Sequence, residues 1–200
     1  LTVVIGASEM TINSNIQQLF EEVESRDKLQ RLVETCKRLF DENSNNLKIL
    51  VFVSKKRDAE DLAYALADRH SFPAEAIHGG MDQRQRLFIL EKFRKANRMI
   101  LVATELLSRG LDVDGITHVI NYELPKRIDD YIHRIGRTAR STNKGVSISF
   151  FNYYEDKDMS KKLVKIVRKA GQEPPEWLQK IADDTPDDAY RESKSRNSRY

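Results

Sequence analysis

The segment YIHRIGRTAR, residues 131–140, sets one histidine and three arginines within ten residues. If the segment is helical up to or past its glycine, His133, Arg137 and Arg140 are spaced i, i+4 and i+7 and share one face. Arginine keeps its proton and its planar fork matches phosphate oxygens two at a time, so this face could bind a phosphate. The alternative is a solvated basic face paired with the two aspartates just before it.

Two further segments carry residues that suit a phosphate. ATELLSRGLDVDG (103–115) follows an apolar run and contains Thr104, Arg109, Gly110 and Asp112. HGGMDQRQR (78–86) has two glycines, and its Gln83, Arg84 and Arg86 fall in the first turn of a predicted helix. Arginine opposes the helix dipole there, which favours a bound anion. The alternative for both segments is structural: a capped helix, an ion pair within it and plain turns.

Other kinds of site have no support in the sequence. No G-x-x-x-x-G-K-[S/T] loop occurs, and no acidic pair follows an apolar strand to hold magnesium, so we do not expect this chain alone to activate a nucleoside triphosphate. The single Cys36 lies among apolar residues at helical spacing, which predicts a buried thiol rather than a nucleophile. Cysteine and histidine spacing predicts no metal site.

The elements that must position these residues follow a βα order. Predicted strands are 48–53, 74–79, 99–104, 117–123 and 145–151, and predicted helices are 25–43, 57–70, 83–97, 126–137 and 155–170. Segment 15–23 could be an edge strand. This order predicts an α/β fold with a mostly parallel central sheet flanked by helices. Ligands gather at the carboxyl ends of such strands, so the basic loops and the arginine helix are expected to open on one edge or beside it.

Composition sets the class of protein. The 200 residues, 40% of them hydrophobic and 32% charged, can bury one core. No apolar run approaches the roughly 20 residues of a membrane span, and no signal peptide is recognisable, so we expect an intracellular protein, nuclear or cytoplasmic, without a membrane partner. The start at Leu1 suggests a fragment. Residues 190–200 account for the net charge of +3, so an anion site elsewhere must be a local patch.

Four segments in fixed order identify a family resemblance. They are ILVFVSKKRDAEDLA, IHGGMDQRQRLFILEKFR, ILVATELLSRGLDVDGITHVINYELP and YIHRIGRTAR. Together they closely resemble the C-terminal RecA-like domain of DEAD-box ATP-dependent RNA helicases, with an end similar to the Ded1/Vasa and p68 branches. The resemblance implies a RecA-like three-layer domain. Its implied boundaries are a linker from a missing first domain at 1–14, the RecA-like domain at 15–171, a short helical extension at 172–184 and a flexible basic tail at 185–200.

The same resemblance implies residue roles. DEAD-box enzymes clamp ATP, with Mg²⁺, and single-stranded RNA between two RecA-like domains. Arg137 and Arg140 match the arginine fingers that reach the γ-phosphate, and His133 matches the link to the partner domain. Asp112, with Gly110 in the same loop, matches the nucleotide-ribose contact. The implied RNA-binding residues are Lys55, Gly79, Gln83, Arg86, Thr104 and Arg109.

The implied function is that of half an enzyme. The chain would bind RNA without regard to sequence and supply charge to ATP and Mg²⁺ held mainly by the N-terminal domain. Joined to that domain as a monomer, it would drive RNA unwinding or RNP remodelling, whereas the fragment alone is expected to be inactive. Two other functions remain: a stand-alone RNA-binding or regulatory module, and a DNA-directed helicase.

Four positions depart from the family pattern. Lys55 stands where a threonine is common, Gly80 where HGD is usual, Glu105 where an aspartate is common and Ala139 where TGR is typical. If position 139 needs a positive φ, alanine is strained there and Arg140 is aimed differently.

Overall fold

The computed structural model describes residues 12–105, 113–140 and 144–186. Its strands are β1 (Ile16–Glu22), β2 (Leu47–Val53), β3 (Ala74–Ile77), β4 (Arg98–Thr104), β5 (His118–Asn121) and β6 (Gly145–Phe151). They form one sheet in the order β1-β6-β5-β2-β4-β3, and every pairing is parallel. The predicted parallel sheet is confirmed, and the ambiguous segment 15–23 forms its edge strand.

Some helices of the described residues connect these strands, and others follow the last strand. They are α1 (Lys28–Glu42), α2 (Lys56–Tyr64), α3 (Gln83–Lys95), α4 (Ile128–Ile135), α5 (Tyr153–Asp156), α6 (Ser160–Lys169) and α7 (Glu176–Asp184). The helix predicted at 155–170 is broken into α5, a short 3₁₀ turn and α6. The Asn152 side chain starts α5, because its oxygen accepts hydrogen bonds from the N–H groups of Tyr154 and Glu155.

The helices cover both faces of the sheet. The strands of the sheet centre, such as β2, are buried along their whole length, as their β-branched runs predict. Residues of α1 and α2 pack with one face, whereas α3, α4, α6 and α7 pack with the other. Cys36 of α1 is fully buried, and burial raises the pKa of its thiol to about 12, as expected for a core residue. Each core is built from this chain alone, so the domain is expected to fold by itself.

The predicted C-terminal extension is part of this core. Trp177 of α7 packs edge-on against Phe151, with ring centroids 5.5 Å apart. Upstream of α7, the Gln172 side chain covers the free edge of β1: its oxygen accepts from the Gln18 N–H at 2.8 Å, and its amide donates to the Ile16 carbonyl at 2.6 Å. The part of the extension that is described is therefore docked rather than loose. Most of the predicted linker and tail, residues 1–11 and 187–200, lie outside the described residues.

In a parallel sheet all strands begin at one side and end at the other, and we call these two sides the amino edge and the carboxyl edge. At its carboxyl edge, β2, β4 and β3 end side by side; at its amino edge, β5 and β6 begin. Helix α4 starts near the carboxyl edge after β5 and runs back toward the amino edge, where Thr138 contacts the carbonyls that precede β5. Within the described ranges, no helix has the length and apolar character needed to cross a membrane.

Candidate functional site

The carboxyl edge brings together most of the residues predicted to bind RNA. Strand register pairs Val53 of β2 with Thr104 of β4, and Ala103 of β4 with Ile77 of β3. The loops after β2 and β3 therefore flank the end of β4. We call this the carboxyl-edge surface, and its residues are Lys55, Gly79, Gln83, Arg86 and Thr104. The sixth predicted residue, Arg109, lies outside the described residues.

A capping box closes the first turn of helix α3, and this turn positions Arg86. Asp82 is the N-cap, and its side chain accepts from the Gln85 N–H at 2.8 Å while the Gln85 side chain accepts from the Asp82 N–H. This capping box satisfies two of the free N–H groups of the helix start. Arg86 then donates from Nη2 to Gln83 Oε1 at 2.6 Å. Gln83 and Arg86 thus act as one hydrogen-bonded pair at the surface, a coupling that the sequence did not predict.

His78 anchors the turn formed by Gly79 and Gly80, which we call the glycine turn. The sequence did not reveal this role. The ring is buried, its Nε2 lies 2.8 Å from Glu60 Oε1, and its Nδ1 accepts from the Gly80 N–H at 3.1 Å. Because Nδ1 is an acceptor, Nε2 carries the ring hydrogen and donates the hydrogen bond that Glu60 accepts. A Cβ at Gly80 would lie 3.1 Å from that Nδ1 and 3.3 Å from Lys56 Cδ. Neighbouring atoms therefore lie close to Gly80, but these atoms belong to side chains and not to the backbone.

Thr104 carries the hydroxyl expected to meet a phosphate. The residue is 5% exposed, and its Oγ1 has no hydrogen-bond partner among residues 12–105, 113–140 and 144–186. A buried hydroxyl without a protein partner is costly unless another group satisfies it. Its position at the end of β4 suits a ligand that approaches the carboxyl edge.

The arginine helix ends earlier than its sequence predicted. Helix α4 stops at Ile135 with Gly136 as its C-cap, so Arg137 and Arg140 follow the helix instead of extending one continuous face. The expectation of a helix through residue 137 was wrong. The Arg137 N–H still bonds to the Arg134 carbonyl at 3.1 Å, which tightens the last turn.

The chain after α4 forms what we call the arginine turn, residues 136–140, docked at the amino edge. The buried Thr138 donates from Oγ1 to the Ile116 carbonyl at 2.6 Å. Ala139 has a φ of +57°, which is the condition under which we expect alanine to be strained there. Gly145 opens β6 so close by that a Cβ there would lie 2.5 Å from Thr138 Oγ1. Tight backbone packing therefore holds the arginine turn.

Both arginines of the turn are anchored to backbone carbonyls of the preceding residues. Arg137 is half-buried and its Nε donates to the His133 carbonyl at 3.2 Å; Arg140 is exposed and its Nε donates to the Gly136 carbonyl at 3.1 Å. These bonds fix the root of each guanidinium on the backbone. The two arginines lie toward the amino edge, so the expectation that the helix opens beside the carboxyl edge holds for its first turn only.

Arg134, the remaining arginine of the decapeptide, is structural and was not singled out from sequence. It is 2% exposed, and its Nε donates to Glu105 Oε2 at 2.8 Å while Nη2 contacts the same oxygen. Its Nη1 donates to the Glu123 carbonyl at 2.7 Å, and the guanidinium carbon lies 5.0 Å from the Phe52 ring centroid. Arg134 therefore ties α4 to the carboxyl ends of β4 and β5. The sequence signal for this role is that position 105 keeps a carboxylate, since it is a glutamate where an aspartate is common.

Burial sets the protonation of groups around α4. The fully buried Tyr131 hydroxyl donates to Gln18 Oε1 at 2.8 Å, and burial raises its pKa. At the amino edge, burial and then the charge of Arg38 lower the pKa of His118 to about 4, so His118 is neutral near pH 7. His133, half-buried on α4, has a buried Nδ1 with no partner among the described residues.

Two predicted nucleotide contacts, Gly110 and Asp112, fall outside the described residues. In the part of the chain that the structure describes, no three His, Cys, Asp or Glu side chains lie together as metal ligands would. The predicted site residues that the structure describes therefore fall in two cationic regions, the carboxyl-edge surface and the arginine turn, on opposite edges of one sheet.

Comparisons with known sequences agree with this arrangement. The family described as "Helicase conserved C-terminal domain" matches residues 27–142. "ATP-dependent RNA helicase DBP2" of Saccharomyces cerevisiae is 42% identical over 182 residues, 89% of this chain and 32% of that protein. "Probable ATP-dependent RNA helicase vasa-like" of Penaeus vannamei is 42% identical over 178 residues, 89% of this chain and 25% of that protein. The chain thus spans about a third or less of the curated relatives described here.

Solved structures show the same fold. The yeast DEAD-box splicing factor Prp28 has a TM-score of 0.75 and 30% identity, over 88% of this chain and 38% of that one. Prp28 from Chaetomium thermophilum bound to ADP has a TM-score of 0.71 and 33% identity, over 84% and 40%. Mss116p DEAD-box helicase domain 2 bound to an RNA duplex has a TM-score of 0.66 and 28% identity, over 81% and 66%.

Proposed function

This chain belongs to the helicase conserved C-terminal domain family, as the C-terminal RecA-like domain of a DEAD-box protein, and from that premise we propose that it is half of an ATP-dependent RNA helicase. The carboxyl-edge surface binds the RNA backbone without regard to sequence. The arginine turn supplies positive charge to ATP that the N-terminal RecA-like domain holds. The observation that carries the proposal is that Arg137 and Arg140 are anchored by their Nε atoms on a turn that Thr138 fixes to the sheet.

The charge of the arginine turn suits phosphoryl transfer. In that reaction negative charge spreads over the transferred oxygens, and an arginine supplied across an interface contributes roughly 10³–10⁵ in rate. ATP, with Mg²⁺ bound beside it on the N-terminal domain, brings the phosphoryl group. Arg137 contributes a guanidinium whose Nε is already held by the His133 carbonyl, so little side-chain freedom remains to be lost when it meets the phosphate.

The two regions act together only when both domains close. RNA on the carboxyl-edge surface and on the N-terminal domain would favour closure, and closure would carry the arginine turn to the nucleotide. Hydrolysis would therefore depend on RNA, and strain on the clamped strand would open a short duplex or remodel an RNP. The proposed working unit is a two-domain monomer inside the cell, and this chain alone is inactive.

The test joins this chain to a DEAD-type N-terminal domain and changes Arg137→Ala. RNA-stimulated ATP hydrolysis should fall by roughly 10³ in kcat, because the transition-state charge loses its partner, while RNA affinity without nucleotide changes less than about twofold. Steady-state hydrolysis and fluorescence anisotropy measure the two effects.

Arg127→Ala is the matched control, because it removes the same charge from the other end of α4, where the side chain is exposed beside Asp129. It should leave hydrolysis close to that of the unchanged protein. Hydrolysis unaffected by Arg137→Ala would remove the finger role. RNA binding without any hydrolysis by the joined protein would favour a stand-alone binding module instead.

A further inference from the structure

Helix α6 carries a charge pattern that the carboxyl-edge surface and the arginine turn do not use. Its sequence SKKLVKIVRK contains five cations and no acid. The apolar residues of the helix are buried in the core beside α4 and β1. The cations are therefore displayed on the outer side, and they are Lys161, Lys162, Lys165, Arg168 and Lys169.

A cleft of about 710 Å³ runs between α6 and α7, and four of these cations line it. Val164 and Ala182 form its floor, and both are nearly buried, at 7% and 3% exposed. The one carboxylate in the wall, Asp183, accepts a hydrogen bond from the Gln179 amide at 2.7 Å. Four cations against one carboxylate give the wall of the cleft a net positive charge, which suits phosphate oxygens.

Within the part of the chain that the structure describes, two cations of this cleft form no ion pair with an acid. Lys165 and Arg168 are exposed, and neither forms an ion pair within the three described ranges. They are three residues apart on the helix, so their side chains are neighbours. Surface cations are commonly paired at i+3 or i+4, as Arg94 and Lys95 are with Glu91 on α3. On α6 that compensation is missing where the cleft opens.

We propose that the cleft between α6 and α7 binds phosphates of an RNA strand that extends beyond the carboxyl-edge surface. This inference rests on the proposed function, because it takes RNA as the ligand. Helix α6 packs with β1 and β6, whereas the carboxyl-edge surface lies on β2, β4 and β3 at the other end of the sheet. The RNA site therefore spans the width of the domain.

The width sets a length requirement on the RNA. Five strand spacings of about 4.8 Å make the sheet roughly 24 Å wide. At about 3.4 Å per nucleotide along a stacked strand, crossing it takes roughly seven nucleotides. A 20-nucleotide RNA reaches both regions, and a 5-nucleotide RNA does not. Only the longer RNA gains affinity from α6.

The experiment measures binding of 20-nucleotide and 5-nucleotide single-stranded RNA to this chain by fluorescence anisotropy, over a series of salt concentrations. The variant is Lys165→Gln with Arg168→Gln, which keeps side-chain length and removes both charges. For the 20-nucleotide RNA we expect affinity to fall about tenfold at low salt and the slope of log affinity against log salt to shrink by roughly 1.4, two phosphate contacts at about 0.7 each. The 5-nucleotide RNA should change less than about twofold.

Two further variants distinguish a specific phosphate site on α6 from a general effect of the positive charge of the chain. Lys37→Gln with Arg38→Gln removes the same charges from exposed positions of α1, on the other face of the sheet, and should leave the salt slope unchanged. Lys165→Arg with Arg168→Lys keeps both charges and should keep the slope. Thermal unfolding of every variant should match the unchanged chain, because the substituted side chains are exposed.

Several results would overturn the inference: an unchanged slope in the α6 variant, an equal loss in the α1 control, or loss of polyglutamate binding with RNA binding intact, which would indicate an acidic protein partner. Suppose the unchanged chain binds RNA and, joined to the N-terminal domain, hydrolyses ATP. If the α6 variant then has the same RNA affinity and salt slope as the unchanged chain, only this inference fails. If the unchanged chain binds neither RNA, the proposed function fails with it.

Discussion

The carboxyl-edge surface and the arginine turn are both cationic, but they are held in different ways. At the carboxyl-edge surface, side chains position side chains: Gln83 holds Arg86, and the His78 ring supports the glycine turn. In the arginine turn the backbone itself is packed, because Thr138 is buried against the start of β5 and Gly145 leaves no space beside it. The first arrangement can adjust to an RNA backbone of variable shape, whereas the second fixes the direction of its charges.

Arg134 connects the two regions. Its backbone belongs to the last turn of α4, just before the arginine turn, and its guanidinium reaches the carboxyl ends of β4 and β5. A buried, multiply bonded arginine is rigid, because moving it would leave a charge without partners. A displacement of the carboxyl end of β4 would therefore be felt at the base of the arginine turn.

The largest expected effect comes from breaking this connection. Glu105→Ala leaves the buried Arg134 charge without its carboxylate, and we expect the free energy of unfolding to fall by about 3 kcal/mol, the low end for a broken buried pair because Glu105 is partly exposed. Urea unfolding measures it. The loss should be nearly independent of salt, since buried pairs are poorly screened.

Glu91→Ala is the control for that pair. Glu91 pairs with Arg94 and Lys95 on the exposed side of α3, so its removal should change stability little. If Glu105→Ala proves equally mild, Arg134 does not connect the carboxyl-edge surface to the arginine turn, and the two regions are independent.

The sequence predicted one of these regions better than the other, for a physical reason. Strand limits are encoded locally in β-branched runs, and β6 was predicted with the limits it has. The carboxyl-edge surface followed, because parallel strands bring their loops together once their order is known. The arginine turn depends on the contact between Thr138 and Ile116, which are 22 residues apart, and local spacing does not encode it. The same limit hid Arg134, whose partner lies 29 residues away.

A matched pair of glycines tests the difference in packing. At Gly145→Ala the new Cβ would lie 2.5 Å from Thr138 Oγ1 and 2.9 Å from the Ala139 nitrogen, so the backbone must move, at a cost of about 2 kcal/mol in the free energy of unfolding. ATP hydrolysis by the joined protein should drop, while RNA affinity of the chain stays unchanged. Thermal unfolding, hydrolysis and anisotropy measure the three quantities.

Gly80→Ala is the counterpart at the carboxyl-edge surface. Its Cβ would meet only the His78 ring at 3.1 Å and the flexible Lys56 side chain at 3.3 Å. Because side chains can shift where backbone cannot, its cost should be clearly smaller than that of Gly145→Ala. Equal costs would show that the two regions are packed alike, contrary to the comparison.

The smallest effect should be a gain, and it tests whether the arginine turn stores strain. Ala139 adopts a φ of +57°, which costs an L-residue roughly 1–2 kcal/mol, so Ala139→Gly should raise the free energy of unfolding by about 1 kcal/mol. Ser71→Gly relieves a φ of +57° in an exposed loop and is the control. If strain also aims Arg140, Ala139→Gly alone changes the hydrolysis rate of the joined protein, whereas both variants gain stability. A loss of stability in Ala139→Gly would mean that the buried methyl group contributes more than the strained backbone costs, and that the arginine turn is well adapted to alanine.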